Sequence, residues 1–199
     1  MRKRAVWPIC PSAALPPIGI DDAEVRPDGC PPPCQGGQRG VRLTMEQKPI
    51  PRVVSVNLSP GGVPKCAVNE AQVTTDGLVG DGHAHAKHIK PTRAISLLDE
   101  EIIVSLRTEQ YPVAPGVLGE NITVRDLHVQ GLSPGTRLCF SGGVVMELVE
   151  PRKPCFVLNA VHPALEKETI GRIGYMARVL SDGIIRPGES ITVISEPFL

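Results

Sequence analysis

From residue 52 onward, apolar and polar positions fall into short runs divided by turn residues. Arg52–Asn57 is β-branched and is followed by Ser59-Pro60-Gly61-Gly62, so it predicts a strand with a turn behind it. Ala67–Thr74 predicts a second strand, and Asn121–Val124 a short one. Thr136–Phe140 and Val144–Glu150 flank Ser141-Gly142-Gly143, the signature of a hairpin. Tyr175–Leu180 and Ser190–Ser195 are further strands, set apart by Asp182-Gly183 and Pro187-Gly188. Helical spacing occurs mainly in Asp99–Gln110. There Leu98, Ile102 and Leu106 recur at i, i+4 and i+8, and Asp99, Glu100 and Glu101 fill the first turn, where the helix dipole favours acids. Pro112 and Pro115 end that helix, and Pro163–Ile170 predicts a second, short one. Short strands with turn chemistry between them predict a mainly β chain, an antiparallel barrel or sandwich carrying one or two short helices.

Residues 1–48 read differently. They hold 8 Pro and 5 Gly, including Cys30-Pro31-Pro32-Pro33-Cys34, and breakers at that density prevent helix, sheet and core formation. A disordered N-terminal extension over 1–48 and one folded domain over 49–199 are expected, and Met45 is a candidate natural start. The Cys30/Cys34 pair resembles half a zinc site, but four ligands are needed and only Cys10 lies nearby. Arg2-Lys3-Arg4 imitates the start of a signal peptide, yet Pro8 and Pro11 break the apolar run that export requires.

Composition narrows the function. The 199 residues carry 21 Lys+Arg against 21 Asp+Glu, so no strong field points to nucleic acid or to an anionic membrane. No apolar run is long enough for a membrane helix. Aromatics make up 3% of the chain, so the core must be built from Val, Ile and Leu. Six cysteines divide evenly, with Cys66, Cys139 and Cys155 in the patterned part; an odd number there and no export signal predict reduced thiols in the cytoplasm. Rossmann and P-loop fingerprints are absent, which argues against dinucleotide or ATP chemistry.

Four segments carry candidate chemistry. In Glu150-Pro151-Arg152-Lys153-Pro154-Cys155 the cysteine follows a strand, prolines stiffen its backbone, and two cations stand within three residues. Nearby cations favour the thiolate, the nucleophilic and metal-binding form. A small buried core residue is the competing reading. His83, His85, Lys87, His88, Lys90 and Arg93 form a polar, cationic loop suited to an anion; the three histidines read alternatively as zinc ligands, without a matching carboxylate or cysteine set. Gly61-Gly62-Val63-Pro64-Lys65 offers backbone N–H groups and a lysine to an anion, or is an ordinary turn. Pro115–Asn121 sets a glycine turn before a Glu-Asn pair, or simply leads into a strand.

Taken in order, Gly61–Lys65, Gly80-Asp81-Gly82-His83, Lys87-His88 with Pro91–Ala94, Gly119–Thr123, Pro151–Cys155 and Gly171–Tyr175 resemble a stand-alone bacterial MOSC domain. This is the module at the C-terminus of molybdenum cofactor sulfurases and in amidoxime-reducing proteins. The resemblance covers roughly residues 50–196 and implies a barrel-like β fold that binds the molybdenum cofactor. It further implies that Cys155 is the reactive cysteine and molybdenum ligand. Lys65, Lys87, His88, Arg93, Asn121 and Arg152 would then hold the pterin and its phosphate. Two functions follow: a molybdenum-dependent reductase of N-hydroxylated compounds served by a separate electron-donor protein, or a carrier handling the cofactor or its sulfur for a molybdoenzyme or a cofactor-biosynthesis protein. The patterned chain is too short for the pyridoxal-phosphate domain of the sulfurases, so pyridoxal phosphate is not expected. A metal-free thiol enzyme pairing Cys155 with His83 or His88 is a third reading.

Overall fold

A computed structural model describes residues 48–82 and 91–194. The expectations for the N-terminal extension, Met45, Lys87, His88 and the zinc-like histidines lie outside those residues.

Eleven strands and two helices make up the described chain: β1 (Arg52–Leu58), β2 (Cys66–Val68), β3 (Ala71–Thr74), β4 (Gly77–Leu78), β5 (Ile95–Asp99), α1 (Glu100–Thr108), β6 (Ile122–Arg125), β7 (Arg137–Phe140), β8 (Val145–Pro151), α2 (Leu165–Glu168), β9 (Tyr175–Ser181), β10 (Gly183–Ile185) and β11 (Ile191–Ile194). Eight strands form one sheet in the order β11-β7-β8-β9-β5-β6-β1-β2, and β10-β3-β4 form a smaller one. All pairs are antiparallel except β5 and β6, where Leu97 aligns with Ile122. A parallel pair needs a crossover, and α1 with the Pro112–Asn121 segment supplies it.

The mainly β architecture with two short helices agrees with the sequence pattern, but the sheets do not close into a barrel. The expected strand Ala67–Thr74 divides between β2 in the large sheet and β3 in the small one. β2 is thereby cut to three residues at the sheet edge. An isolated bridge, Arg52 to Ser190, with backbone hydrogen bonds donated by Val53, Gly188 and Ile191, links the start of β1 with the chain entering β11.

Two apolar clusters fill the interior. The first lies between the sheets and includes Val56, Ile95, Leu97, Ile122, Leu138, Met146, Leu148 and Ala177. The second, with Leu98, Ile103, Leu106, Leu118, Leu158 and Leu165, is covered by α1 and α2. β5 is buried at every position, its polar Ser96 and Asp99 included, as a strand covered on both faces must be. It separates the clusters, with Leu97 in the first and Leu98 in the second.

Candidate functional site

The site forms where three connections meet: the turn after β1, the Pro115–Glu120 turn before β6, and the segment after β8. In the first, Ser59 folds its loop. Its hydroxyl donates to the Gly62 carbonyl (3.0 Å) and accepts from the Gly61 N–H (3.1 Å). The loop ends at Lys65, whose ammonium is paired with Asp81. Asp81 also accepts from the Ser59 N–H (3.0 Å) and from Asn121 Nδ2 (2.8 Å). The Asn121 Oδ1 in turn accepts from the backbone and hydroxyl of Ser96, at 3.1 and 2.9 Å. Lys65 and Asn121 converge through Asp81, which the sequence reading left without a role. The Lys65–Asp81 pair is almost closed to solvent, with side chains 10% and 3% exposed. Burial pulls the lysine below its ordinary pKa, while Asp81 works in the opposite direction.

The second turn cradles Arg152. Its Nη2 donates to the Leu118 carbonyl at 2.7 Å, and its backbone N–H donates to the Gly174 carbonyl at 2.8 Å. Gly119 sits at φ +80°, and a Cβ there would come within 3.1 Å of Arg152 Nη2 and 2.7 Å of Val63 Cγ1. The position thus needs glycine for both conformation and space. Glu120, fully buried, closes the turn: its Oε1 accepts from the Gly116 N–H (2.6 Å) and the Thr123 hydroxyl (2.9 Å). Desolvation raises the Glu120 pKa, opposed by its hydrogen bonds and by Arg152. Two buried atoms, Arg152 Nη1 and Glu120 Oε2, have no hydrogen-bond partner.

Beyond Arg152 the chain turns outward. Lys153, Cys155 and Phe156 are exposed, and Cys155 precedes the 3-10 turn Phe156–Ala160. The thiol lies within electrostatic reach of the Arg152 guanidinium, whose charge it favours while burial opposes it. Cys66 and Cys139 are half-buried, so Cys155 alone among the described cysteines is open to solvent. Of the two cations expected beside it, Arg152 turns inward and Lys153 faces water.

Arg93 lies in the 3-10 turn Pro91–Arg93 and forms an ion pair with Glu150 at 2.6 Å, both side chains 40% exposed. It can leave that partner at little cost, because exposed pairs contribute about 0–1 kcal/mol. Lys65 cannot do so as readily. Among the described residues, no group of three His, Cys, Asp or Glu side chains could hold a metal ion. The donor set therefore offers one open thiol and one arginine with an unpartnered N–H, which suits a group that brings its own remaining metal ligands.

The exposed thiol lies just beyond β8, and the arginine that precedes it is buried and held by a turn carbonyl. A model of the MOSC domain matches residues 84–192, and the chain belongs to that family, which is associated with the molybdenum cofactor. A protein called "Reductase" from Gibberella moniliformis is 32% identical over 130 residues, covering 61% of this chain. The chain spans only 23% of that relative's length. The YUAD protein of Bacillus subtilis shares the fold with a TM-score of 0.64 at 20% identity, over 74% of this chain and 98% of that one. YiiM from Escherichia coli does so with a TM-score of 0.60 at 23% identity, over 75% and 72%. Among the described residues, no helix is long and apolar enough to cross a membrane.

Proposed function

We propose that this chain binds the molybdenum cofactor with Cys155 as the protein's metal ligand and reduces N-hydroxylated compounds. The observation that carries the reading is the open Cys155 thiol three residues beyond Arg152, whose guanidinium is buried and held by the Leu118 carbonyl. A soft thiolate suits molybdenum, and a ligand loop fixed by Pro151, Pro154 and the Arg152–Leu118 hydrogen bond loses little entropy on binding. When bound, the cofactor supplies a two-electron centre for removing oxygen from nitrogen. Reduction of an N–OH group to N–H with release of water consumes two electrons and two protons. A separate electron-donor protein supplies the electrons.

The chain's own residues position and neutralise. Arg152 keeps cationic charge at the thiol; Asn121 and Asp81 hold the Gly61–Lys65 turn. Arg93, together with Lys87 and His88, serves the pterin phosphate, which competes with Glu150 for Arg93. The relative called "Reductase" supports the redox reading over the region it shares. The exposure of Cys155 favours a second reading as well: a thiol open to solvent can hand sulfur or cofactor to a partner enzyme.

Protein purified from a cofactor-competent host should contain molybdenum and pterin fluorescence, and Cys155→Ser should fold but lose the metal. Turnover of an amidoxime or an N-hydroxylated base with a reduced donor identifies the reductase. Metal binding without turnover supports the carrier, and full metal content in Cys155→Ser refutes ligation by this thiol.

A further inference from the structure

We infer that Glu150 is an exchangeable counter-ion for Arg93: its carboxylate occupies the guanidinium until a terminal phosphate, a dianion able to take two N–H groups at once, replaces it. The inference rests on the reading of Arg93 as a phosphate-holding residue and adds what sets the affinity there. Its basis is how β8 delivers the carboxylate. Leu148 and Ala177 face each other across β8 and β9, both fully buried in the first cluster. Strict alternation would put Glu150, two residues on, in the core as well. The register slips instead, so that Glu150 stands opposite Met176, the direct neighbour of Ala177, and Val149 is the extra residue of a bulge. Directly opposite residues share a face, so the bulge turns Glu150 away from the core. Arg93 reaches it there from the 3-10 turn that leads into β5, the strand on the far side of β9.

The contact leaves room for a better acceptor. Arg93 Nε lies 2.6 Å from Glu150 Oε1 and is closed to water, yet its N–H is not aligned as a hydrogen bond. No hydrogen bond to a described residue uses the remaining donors of the guanidinium. Both side chains are 40% exposed, so a ligand can arrive, and an exposed pair contributes too little to hold Arg93 shut. A carboxylate tethered within reach acts as a competitor present at about millimolar concentration or above. A dilute free monoanion offers the arginine no more than Glu150 already does and does not displace it. A phosphate takes the guanidinium bidentately and brings a second negative charge. Glu150 thereby sets a threshold that monoanionic ligands do not cross.

The test measures how fast phenylglyoxal modifies Arg93 in the full chain produced without the cofactor, with the modified residue located by peptide mass spectrometry. Ionic strength is held constant at about pH 8, where phosphate is chiefly dianionic. In the wild type, inorganic phosphate should slow the modification, and formate at the same concentrations should not. In Glu150→Gln the phosphate midpoint should fall by about fivefold, the upper end of what an exposed ion pair contributes, and formate should now protect as well. Asp182→Asn removes an equal charge elsewhere on the surface and should leave the midpoint unchanged. An equal fall there would reduce the effect to net charge and overturn the exchange. So would equal midpoints in the wild type and Glu150→Gln, or no protection of Arg93 by phosphate in either. Should Glu150→Gln fail to fold, Glu150→Asp draws the carboxylate back by one methylene and should shift the midpoint the same way by less. If the phosphate pattern appears while protein from a cofactor-competent host holds no pterin, the exchange stands and the cofactor reading fails. If pterin is held while phosphate leaves Arg93 unprotected, the cofactor reading stands and the exchange fails.

Discussion

Asp99 occupies the first position before α1, yet it makes no side-chain capping hydrogen bond to the helix. Its carboxyl turns away and accepts from the backbone of Val129 and Gln130. The residue is 3% exposed, and its Oδ1 has no partner. Burial is the main cause that raises its pKa from 3.8 to about 6; Glu101 adds to the rise, while the hydrogen bonds and His128 oppose it. The sign follows from proton binding. Between pH 3.8 and about 6 the folded chain keeps a proton that the unfolded chain has released, so stability falls as pH rises through that window. Above it both states are ionised and the whole cost is present; below it the cost vanishes. At 1.36 kcal/mol per pH unit, that gap corresponds to about 3 kcal/mol. Asp99→Asn keeps the shape and removes the charge. Urea unfolding from pH 4 to pH 8 should therefore show the variant gaining on the wild type by about 2–3 kcal/mol above pH 6, with the gain closing towards pH 4. His128→Asn serves as a control, because the histidine's charge acts on the same carboxyl. A difference between wild type and Asp99→Asn that is constant with pH, or that grows on acidification, would refute the argument.

Other expectations test separate contacts. Asp81→Asn leaves the Lys65 ammonium buried without its counter-charge and should cost about 3–5 kcal/mol in urea unfolding, whereas Lys65→Met with Asp81→Leu should recover most of that loss. Arg172 and Glu109 make a two-pronged surface pair at 2.8 and 2.7 Å that holds Glu109 down at about 2, mainly through hydrogen bonding. Its contribution should be present above pH 4.5 and fade as pH falls towards 2, and Glu109→Gln should abolish that fading in a melting series. Arg93→Ala gives up an exposed ion pair, so its melting temperature should stay near that of the wild type while cofactor retention weakens by about 1.5–3 kcal/mol, read from pterin release on dilution.

The periodic parts of the fold were legible because each periodicity has one structural solution. β1, β7, β8, β9 and β11 fall within a residue or two of the runs that predicted them, and the Gly142-Gly143 hairpin is present. α1 is two residues shorter at its end than the spacing predicts, because Glu109 and Gln110 leave the helix as a turn in which Gln110 takes a positive φ. Its buried face also differs: Ile103 and Leu106 point inward, and Leu98 belongs to β5. The central strand β5 was hidden because its apolar run flows directly into a helix, with only Asp99 between them. β4 and β10 were missed because two and three residues carry no period. Barrel against open sheet is a question of which distant edges pair, and alternation along single strands holds no record of that. Cys155 was singled out as a candidate from its proline and cation neighbours, whereas Asp81 and Glu120 were passed over as parts of turns. Their adjacency to Gly82 and to Asn121 was visible, but the partners that give them roles lie 16 and 32 residues away, at Lys65 and Arg152.

Charge compensation divides the cations of the site into two kinds. Lys65 is held by Asp81 in near-complete burial, and that pair joins the β1 turn to Asn121 on β6, so its work is to fix backbone. Arg93 is held by Glu150 at the surface, where an incoming anion can replace the carboxylate without leaving a buried charge unpaired. Arg152 belongs to neither kind. Its guanidinium is buried, bonded to a carbonyl, and it retains an unpartnered N–H. A cation in that state stabilises whatever negative charge develops nearby more strongly than a neutralised one, because water does not screen it and no carboxylate is bonded to it. A glycine turn, a buried acid and a strand end therefore converge on one guanidinium, which a turn distant in the sequence holds through the Leu118 carbonyl.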